Sequence, residues 1–241
     1  MELYIIRHGQ STNNALADER LRTFDPPLTA IGERQAELVA AYLADGRNRD
    51  PWVNPATGQS KPETGAGFGI THLYCSAMYR ALQTARPIAE ALGLQPEVWV
   101  DIHEHGGIYL ETDGTITGYP GKSRGEILAE FPDYTLPDAI TEAGWWAIEK
   151  GMEPLDSAYG RAITVANALR RRAESDERIA LVTHGTFIDA LIKALFYQLP
   201  SRQMFYMHYN SAISRIDFMA RDRMLVRYLN RIAHLPPELV T

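Results

Sequence analysis

The chain has 241 residues, a formal net charge of −6 and 45% hydrophobic side chains, which fits one globular domain over 1–241 with a full core and room for insertions. The acidic balance argues against nucleic acid as the main partner, because that partner wants a basic face, yet it leaves an anionic substrate open, since a pocket can be locally basic on an acidic protein. The single cysteine, Cys75, rules out an intrachain disulfide and suits a reducing compartment, and no apolar run approaches the roughly 20 residues of a membrane span, so a cytoplasmic protein with no membrane partner is expected.

The elements read strand, helix, strand, helix. Leu3-Tyr4-Ile5-Ile6 is a short apolar run that suits a buried parallel strand; bracketed by Glu2 and Arg7, it is too short for a signal peptide. Thr29 is the expected N-cap of a helix that ends near Gly46. Thr71 to Cys75 is a second strand. Ala77 to Leu92 is a helix stopped by Gly93, with a kink or break expected at Pro87. Val98-Trp99-Val100 is a third strand. Pro154 to about Ser175 is a long amphipathic helix with Leu155, Ala158, Ala162, Val165, Ala166 and Leu169 on one stripe. Ile179 to Thr183 is a strand, and the helix after it turns Phe187, Ile188, Leu191, Ile192, Leu195 and Phe196 inward. Ile213 to Phe218 and Met224 to Tyr228 are two last strands, at an edge. This alternation predicts an α/β fold: a three-layer sandwich whose central, mainly parallel sheet is covered by helices on both faces.

Two stretches break the rhythm and read as insertions. Residues 47–69 are rich in Gly, Pro, Asn and Thr and suit a surface loop. Residues 106–153 hold glycines, prolines, Trp145, Trp146 and one short helix opened by Ser123 and Glu126 at capping-box spacing. The second insertion follows a strand end, where open α/β sheets bind ligands, and reads as a substrate-facing cap formed by loops.

Chemistry gathers at the strand ends. Arg7-His8-Gly9 follows the first strand and Thr183-His184-Gly185 a later one. Arg80 falls in the first turn of the helix after the second strand, and Glu104 lies just beyond the third. Two imidazoles, two guanidiniums and a carboxyl at one sheet edge suit phosphoryl transfer. Arginine offers a planar fork that matches phosphate oxygens. A neutral imidazole can attack phosphorus, a protonated one can stabilise the equatorial oxygens, and a carboxylic acid can serve the leaving group and then the incoming water. No metal or other cofactor is required. Taken singly, each residue has a bland reading: a structural histidine, a surface cation, a solvated acid.

In order, Arg7-His8-Gly9-Gln10-Ser11 with Asn14, Pro27-Leu28-Thr29 with Gly32 and Gln35-Ala36, Ser76 with Arg80-Ala81 and Gln83-Thr84-Ala85, Glu104, Thr183-His184-Gly185 and Asn210-Ser211 resemble the histidine phosphatase superfamily, also called phosphoglycerate mutase-like. The resemblance covers 2–104 and 155–218. It implies His8 as the phosphorylated residue, Arg7, Arg80 and His184 around the phosphate, and Glu104 as proton donor. It also implies that Asn14 and Gln10 belong to the phosphate site; Gly185 and Thr186 add backbone N–H groups where a helix starts. The chain departs from the cofactor-dependent mutase pattern, which follows the acid with Arg-His-Tyr where this chain has His105-Gly106-Gly107. Lys122 and Arg124 stand near the place of the mutases' adjacent arginine pair, and Asn13 replaces a bulky residue before Asn14. A histidine acid phosphatase-type phosphomonoesterase acting on a small phosphorylated metabolite is therefore expected, with mutase-type transfer as the alternative and an inactive binding module on the same fold as the third reading. The expected assembly admits a homodimer.

His103-Glu104-His105 also raises a metal site, but on an extended segment the two imidazoles share the face opposite the carboxyl, and no third ligand is evident. Trp145 and Trp146 either line the pocket or pack the cap. Cys75 reads as a buried structural thiol.

Overall fold

A computed structural model describes residues 1–50, 57–59, 67–220 and 223–241. Its six-stranded sheet runs β3-β2-β6-β1-β7-β8, from β1 (Glu2–Arg7), β2 (His72–Cys75), β3 (Glu97–Val98), β6 (Arg178–Thr183), β7 (Ile213–Met219) and β8 (Arg223–Arg231). The first four of these are mutually parallel; β7 and β8 are antiparallel additions, with β8 at the edge.

The sheet sorts its side chains by parity. Tyr4 and Ile6 of β1, Ala180 and Val182 of β6 and Leu73 and Cys75 of β2 face one core, with residues of α1 (Ala30–Ala44) and α2 (Tyr79–Leu92). Leu3, Ile5, Ile179 and Leu181 face the other, with α4 (Leu155–Arg170) and α5 (Gly185–Leu195). Both faces are covered, which is why β1 and β6 are near-continuous apolar runs rather than alternating ones. The three-layer sandwich expected from the alternation is the observed fold, and Cys75 is buried within it.

Several boundaries differ. The third strand has only two residues, because the chain turns into a 3-10 helix over Val100–Ile102. Helix α2 runs through Pro87 without a break; a proline removes one N–H and crowds one carbonyl, and the buried stripe of Leu82, Ala85 and Ile88 offsets that locally. Helix α4 ends at Arg170, and turns follow as far as Ser175. The insertion at 47–69 lies largely outside the described residues. The one at 106–153 contains, besides α3 (Arg124–Glu130) with its capping box, an antiparallel hairpin of β4 (Tyr109–Thr112) and β5 (Thr115–Gly118).

This cap is tied to the body at its ends. Glu153 N–H donates to the Gly106 carbonyl (2.9 Å). Arg161 of α4 grips Glu153 with Nε and Nη2 at 3.0 and 2.6 Å, and reaches the Asp101 and His103 carbonyls at 2.7 and 2.8 Å. Trp145 and Trp146 are buried and pack against the His103 ring. Among the described residues, no helix is long and apolar enough to cross a membrane.

Candidate active site

Strand register brings the two histidines together. Arg7 stands opposite Thr183 in the β1–β6 ladder, so His8 and His184 leave the sheet side by side, ring centroids 5.0 Å apart. The chain then turns at Gly9, where any Cβ would collide with the Gly32 carbonyl oxygen; only glycine lets this turn pack on the start of α1. Gly9 N–H donates to Thr84 Oγ1 at 3.1 Å.

His8 is 2% exposed. The Gly9 carbonyl, 2.6 Å from Nδ1, can only accept, so Nδ1 carries the proton. Arg80 Nε–H, 3.1 Å from Nε2, can only donate, so Nε2 keeps its electron pair. Burial first, then the charges of Arg80 and Arg7, hold the imidazole pKa well below its ordinary value. His8 is therefore a neutral ring with its lone pair directed at a guanidinium.

Arg7 donates through Nη1 to the His208 carbonyl (2.6 Å), while its Nε is buried without a hydrogen-bond partner. Gly185 lies alongside: a Cβ there would stand 3.4 Å from Arg7 Nε. The Arg80 side chain is 10% exposed and faces the Asp25 carboxylate at 3.9 Å. His184 is fully buried, and neither ring nitrogen has a hydrogen-bond partner. Burial, then Arg80 and His8, keep its pKa well below the ordinary value. The expected imidazolium is thus not the state of the free site; a bound dianion would have to supply the countercharge.

Glu104 follows the Val100–Ile102 turn and reaches the start of α5. Its Oε1 accepts from Phe187 N–H and His105 N–H, both at 2.9 Å, and its Oε2 from Thr186 N–H at 3.2 Å. The Thr186 N–H expected on a phosphate thus faces Glu104. Asn14 Oδ1 accepts from Ser11 N–H and Oγ (3.1 and 2.9 Å) and lies 3.4 Å from Asn210 Nδ2, which donates to the His8 carbonyl at 3.0 Å. Gln10 stands apart: its Oε1 accepts from Thr29 Oγ1 (2.7 Å) at the N-cap of α1, and it does not line the cavity.

That cavity, about 570 Å³, opens over His8, Arg7, Arg80, Glu104 and Asn14. Its outer wall carries Arg20, Arg22 and Phe24 on one side and the β4–β5 hairpin on the other; Phe24 stacks on Tyr119 of the cap at 4.3 Å. His103 is turned away, its Nδ1 2.7 Å from the Val100 carbonyl, and burial depresses its pKa to about 3. Among the described residues no three His, Cys, Asp or Glu side chains form a metal-binding group. Neither tryptophan lines the cavity; both join the core that the cap shares with the α1–α2 face of the sheet. Asp25 and the His208 carbonyl were not expected to support the site, and Asn210 entered only as part of the matching motif, with no role given to it. Asp25 carried no signal beyond a loop aspartate before two prolines.

A family model described as the histidine phosphatase superfamily, branch 1, matches residues 3–55 and 62–231. Among curated relatives, the probable phosphoglycerate mutase GpmB of Yersinia enterocolitica is 26% identical over 220 residues, 90% of this chain and 85% of that protein. Its counterpart in Yersinia pestis is 36% identical over 94 residues, 39% of this chain and 33% of the relative. Similar solved folds include a mutant phosphoserine phosphatase from Entamoeba histolytica in complex with phosphoserine, with TM-score 0.60 and 21% identity over 98% of this chain and 99% of that one. The alpha-ribazole phosphatase of Shigella flexneri has TM-score 0.61 and 20% identity, over 96% of each chain. With His8, Arg80, Glu104 and His184 and, apart from Glu2, every residue of the six-stranded sheet inside the matched residues, the chain belongs to the histidine phosphatase superfamily, branch 1.

Proposed function

We propose that this protein is a histidine acid phosphatase-type phosphomonoesterase that hydrolyses a small phosphorylated metabolite through a phosphohistidine on His8. The observation that carries the reading is the His8 ring: neutral, with Nδ1–H spent on the Gly9 carbonyl and Nε2 left bare beside Arg80. A lone pair fixed in one direction at the floor of a cationic cavity is what in-line attack on phosphorus needs.

In the first step the Nε2–P bond forms and the P–O ester bond breaks. The leaving alkoxide takes a proton from Glu104. In the second, water attacks the phosphorus of phosphohistidine as Glu104 accepts its proton, the Nε2–P bond breaks, and inorganic phosphate departs. Arg7 and Arg80 balance the dianion, with His184, Asn14 and the Gly185 N–H group around it. To act as acid, Glu104 must be protonated while three backbone N–H groups face it, and the neighbouring phosphate charge favours that form. No step calls for a metal.

The phosphatase reading is favoured over mutase-type transfer by the space after Glu104. Gly107 has φ +73°, and any Cβ there would meet the buried Trp146 ring. A tyrosine like the one in the mutase pattern has no room at this position. The relatives include both kinds of enzyme, so the test uses both substrates. Enzyme quenched in alkali during turnover of a phosphomonoester should carry phosphate on His8 by mass spectrometry. Phosphate should be released from para-nitrophenyl phosphate without added metal, and 3-phosphoglycerate with 2,3-bisphosphoglycerate should yield no 2-phosphoglycerate. Label on another residue, or none in active enzyme, would remove His8 from the role.

A further inference from the structure

Asp25 is an acid packed behind the cationic floor, and one of its oxygens lacks a donor. It sits between the cavity-lining Phe24 and Pro26, with its side chain 5% exposed. Oδ1 accepts from Tyr79 N–H at 3.0 Å, at the start of α2. The same oxygen faces Arg80 Nη1 at 3.9 Å. Oδ2 is buried with no hydrogen-bond partner. Burying a carboxylate oxygen unmet is costly. Capping α2 does not explain the residue's charge, because a neutral asparagine would accept from Tyr79 N–H equally well. The charge has its partner in Arg80, whose Nη1 faces Oδ1, and Oδ2 remains able to accept.

Arg80 has to move for catalysis. Its Nε–H occupies the lone pair with which His8 would attack. A substrate phosphate must draw that N–H off Nε2 and onto one of its own oxygens. The guanidinium is rigid and planar, so turning Nε carries the Nη groups with it. The 3.9 Å gap to Asp25 is about 1 Å beyond a hydrogen bond, and Oδ2 has capacity to spare.

We propose that Asp25 is the positioning residue of Arg80: once a phosphate takes the Nε–H from His8, the Asp25 carboxylate accepts an Nη–H bond that holds the fork facing the phosphate. The inference rests on the phosphoryl-transfer reading above. The groups that face Asp25 are Arg80 and the Tyr79 N–H from α2 and Lys122 from the cap; against their pull, burial is the larger influence and lifts its pKa to about 6. Asp25 must be ionised to hold Arg80, so kcat/KM should fall as pH drops through about 6. His8 does not produce that limb, being held neutral well below its ordinary range.

The test is a double-mutant cycle of Asp25→Asn with Arg80→Ala, read by calorimetric vanadate binding and by kcat/KM on para-nitrophenyl phosphate across pH. Asp25→Asn keeps the acceptor for Tyr79 N–H, and its melting temperature reports that the fold is intact. With Arg80 in place it should weaken vanadate binding and lower kcat/KM by roughly ten- to a hundredfold, and the acid limb should move to lower pH. In the Arg80→Ala background the same substitution should change binding less than about twofold, since coupled residues are not additive. Equal losses in both backgrounds, no loss in either, or an unmoved acid limb would overturn the role of Asp25 and leave the phosphatase reading intact. Wild-type enzyme that binds no vanadate would overturn both.

Discussion

Arg80 Nε donates to His8 Nε2 across 3.1 Å, so the free site is held closed on itself, with a cation covering the only bare ring nitrogen of the proposed nucleophile. This contact fixes the tautomer, and burial with two neighbouring guanidiniums fixes the charge state. Nitrogen-15 NMR of the histidines should find His8 neutral, protonated on Nδ1, and without titration between pH 8 and 6. Vanadate should perturb Nε2 far more than Nδ1. A His8 signal that titrates near the ordinary histidine value would contradict the arrangement.

Arg80 supplies a fork rather than a point charge. Arg80→Lys keeps the cation but cannot offer a phosphate oxygen and the Asp25 carboxylate separate donors of one rigid fork. We expect kcat/KM to fall by about a hundredfold, with the melting temperature little changed. Lysine restoring most of the activity would mean that charge alone suffices there.

The parts of the fold set by burial periodicity and strand-end motifs were legible from residues alone. Leu3 to Ile6 and Ile179 to Thr183 are apolar on both faces because the sheet is covered on both, and each ends in His-Gly, so one parallel pairing brought His8 beside His184. The third strand was harder: Val98-Trp99-Val100 has strand chemistry, but the turn at Val100–Ile102 closes on its own hydrogen bonds, which composition does not reveal. The cap hairpin was readable and missed, since Asp113-Gly114 between Tyr109 to Thr112 and Thr115 to Gly118 is a two-residue turn signal, and Asp113 takes φ +51°. Asp25 and the His208 carbonyl were not readable, because one is a loop acid and the other a backbone atom, brought to the site only by tertiary packing.

Glu104 sits on the start of α5, accepting Thr186, Phe187 and His105 N–H groups. Glu104→Gln turns one acceptor oxygen into a donor facing donors, and it removes the transferable proton. Phosphorylation rates on alkyl phosphates should fall by about 10²–10⁴-fold, and those on para-nitrophenyl phosphate far less, because its phenolate leaves with little help. The comparison must read the phosphorylation step, since Glu104 is also proposed to assist water. Equal losses on both substrates would make Glu104 an electrostatic or positioning group and move the search for the acid to Glu111 and Asp113, which line the same cavity.

The histidines also set how the protein meets acid. His8, His103, His184, His208 and His234 all have pKa values lowered by burial, His103 to about 3 and His234 to about 4. For an imidazole lowered in the fold, both states are neutral above about pH 6.5, so nothing is lost there. As pH falls below 6.5 the unfolded chain takes up protons that the folded one refuses, and stability drops. By pH 5 each strongly shifted ring costs up to about 2 kcal/mol. Asp25 works in the opposite sense: its folded pKa of about 6 lies above the unfolded value, so the fold binds the extra proton and gains stability as pH falls through 6 toward 4. Asp217, its pKa also raised by burial, acts in the same sense as Asp25, and several imidazoles outweigh these two carboxyls. Urea unfolding at pH 7.5 and 5.0 should therefore show a large loss of stability at the lower pH. His234→Gln, outside the proposed chemistry, should reduce that loss by up to about 2 kcal/mol, whereas Asp25→Asn should stabilise at pH 7.5 and enlarge the loss on acidification. Equal stability of the wild type at the two pH values would mean that the buried rings accept protons in the folded state, and the neutral His8 on which the proposed attack depends would fall with that result.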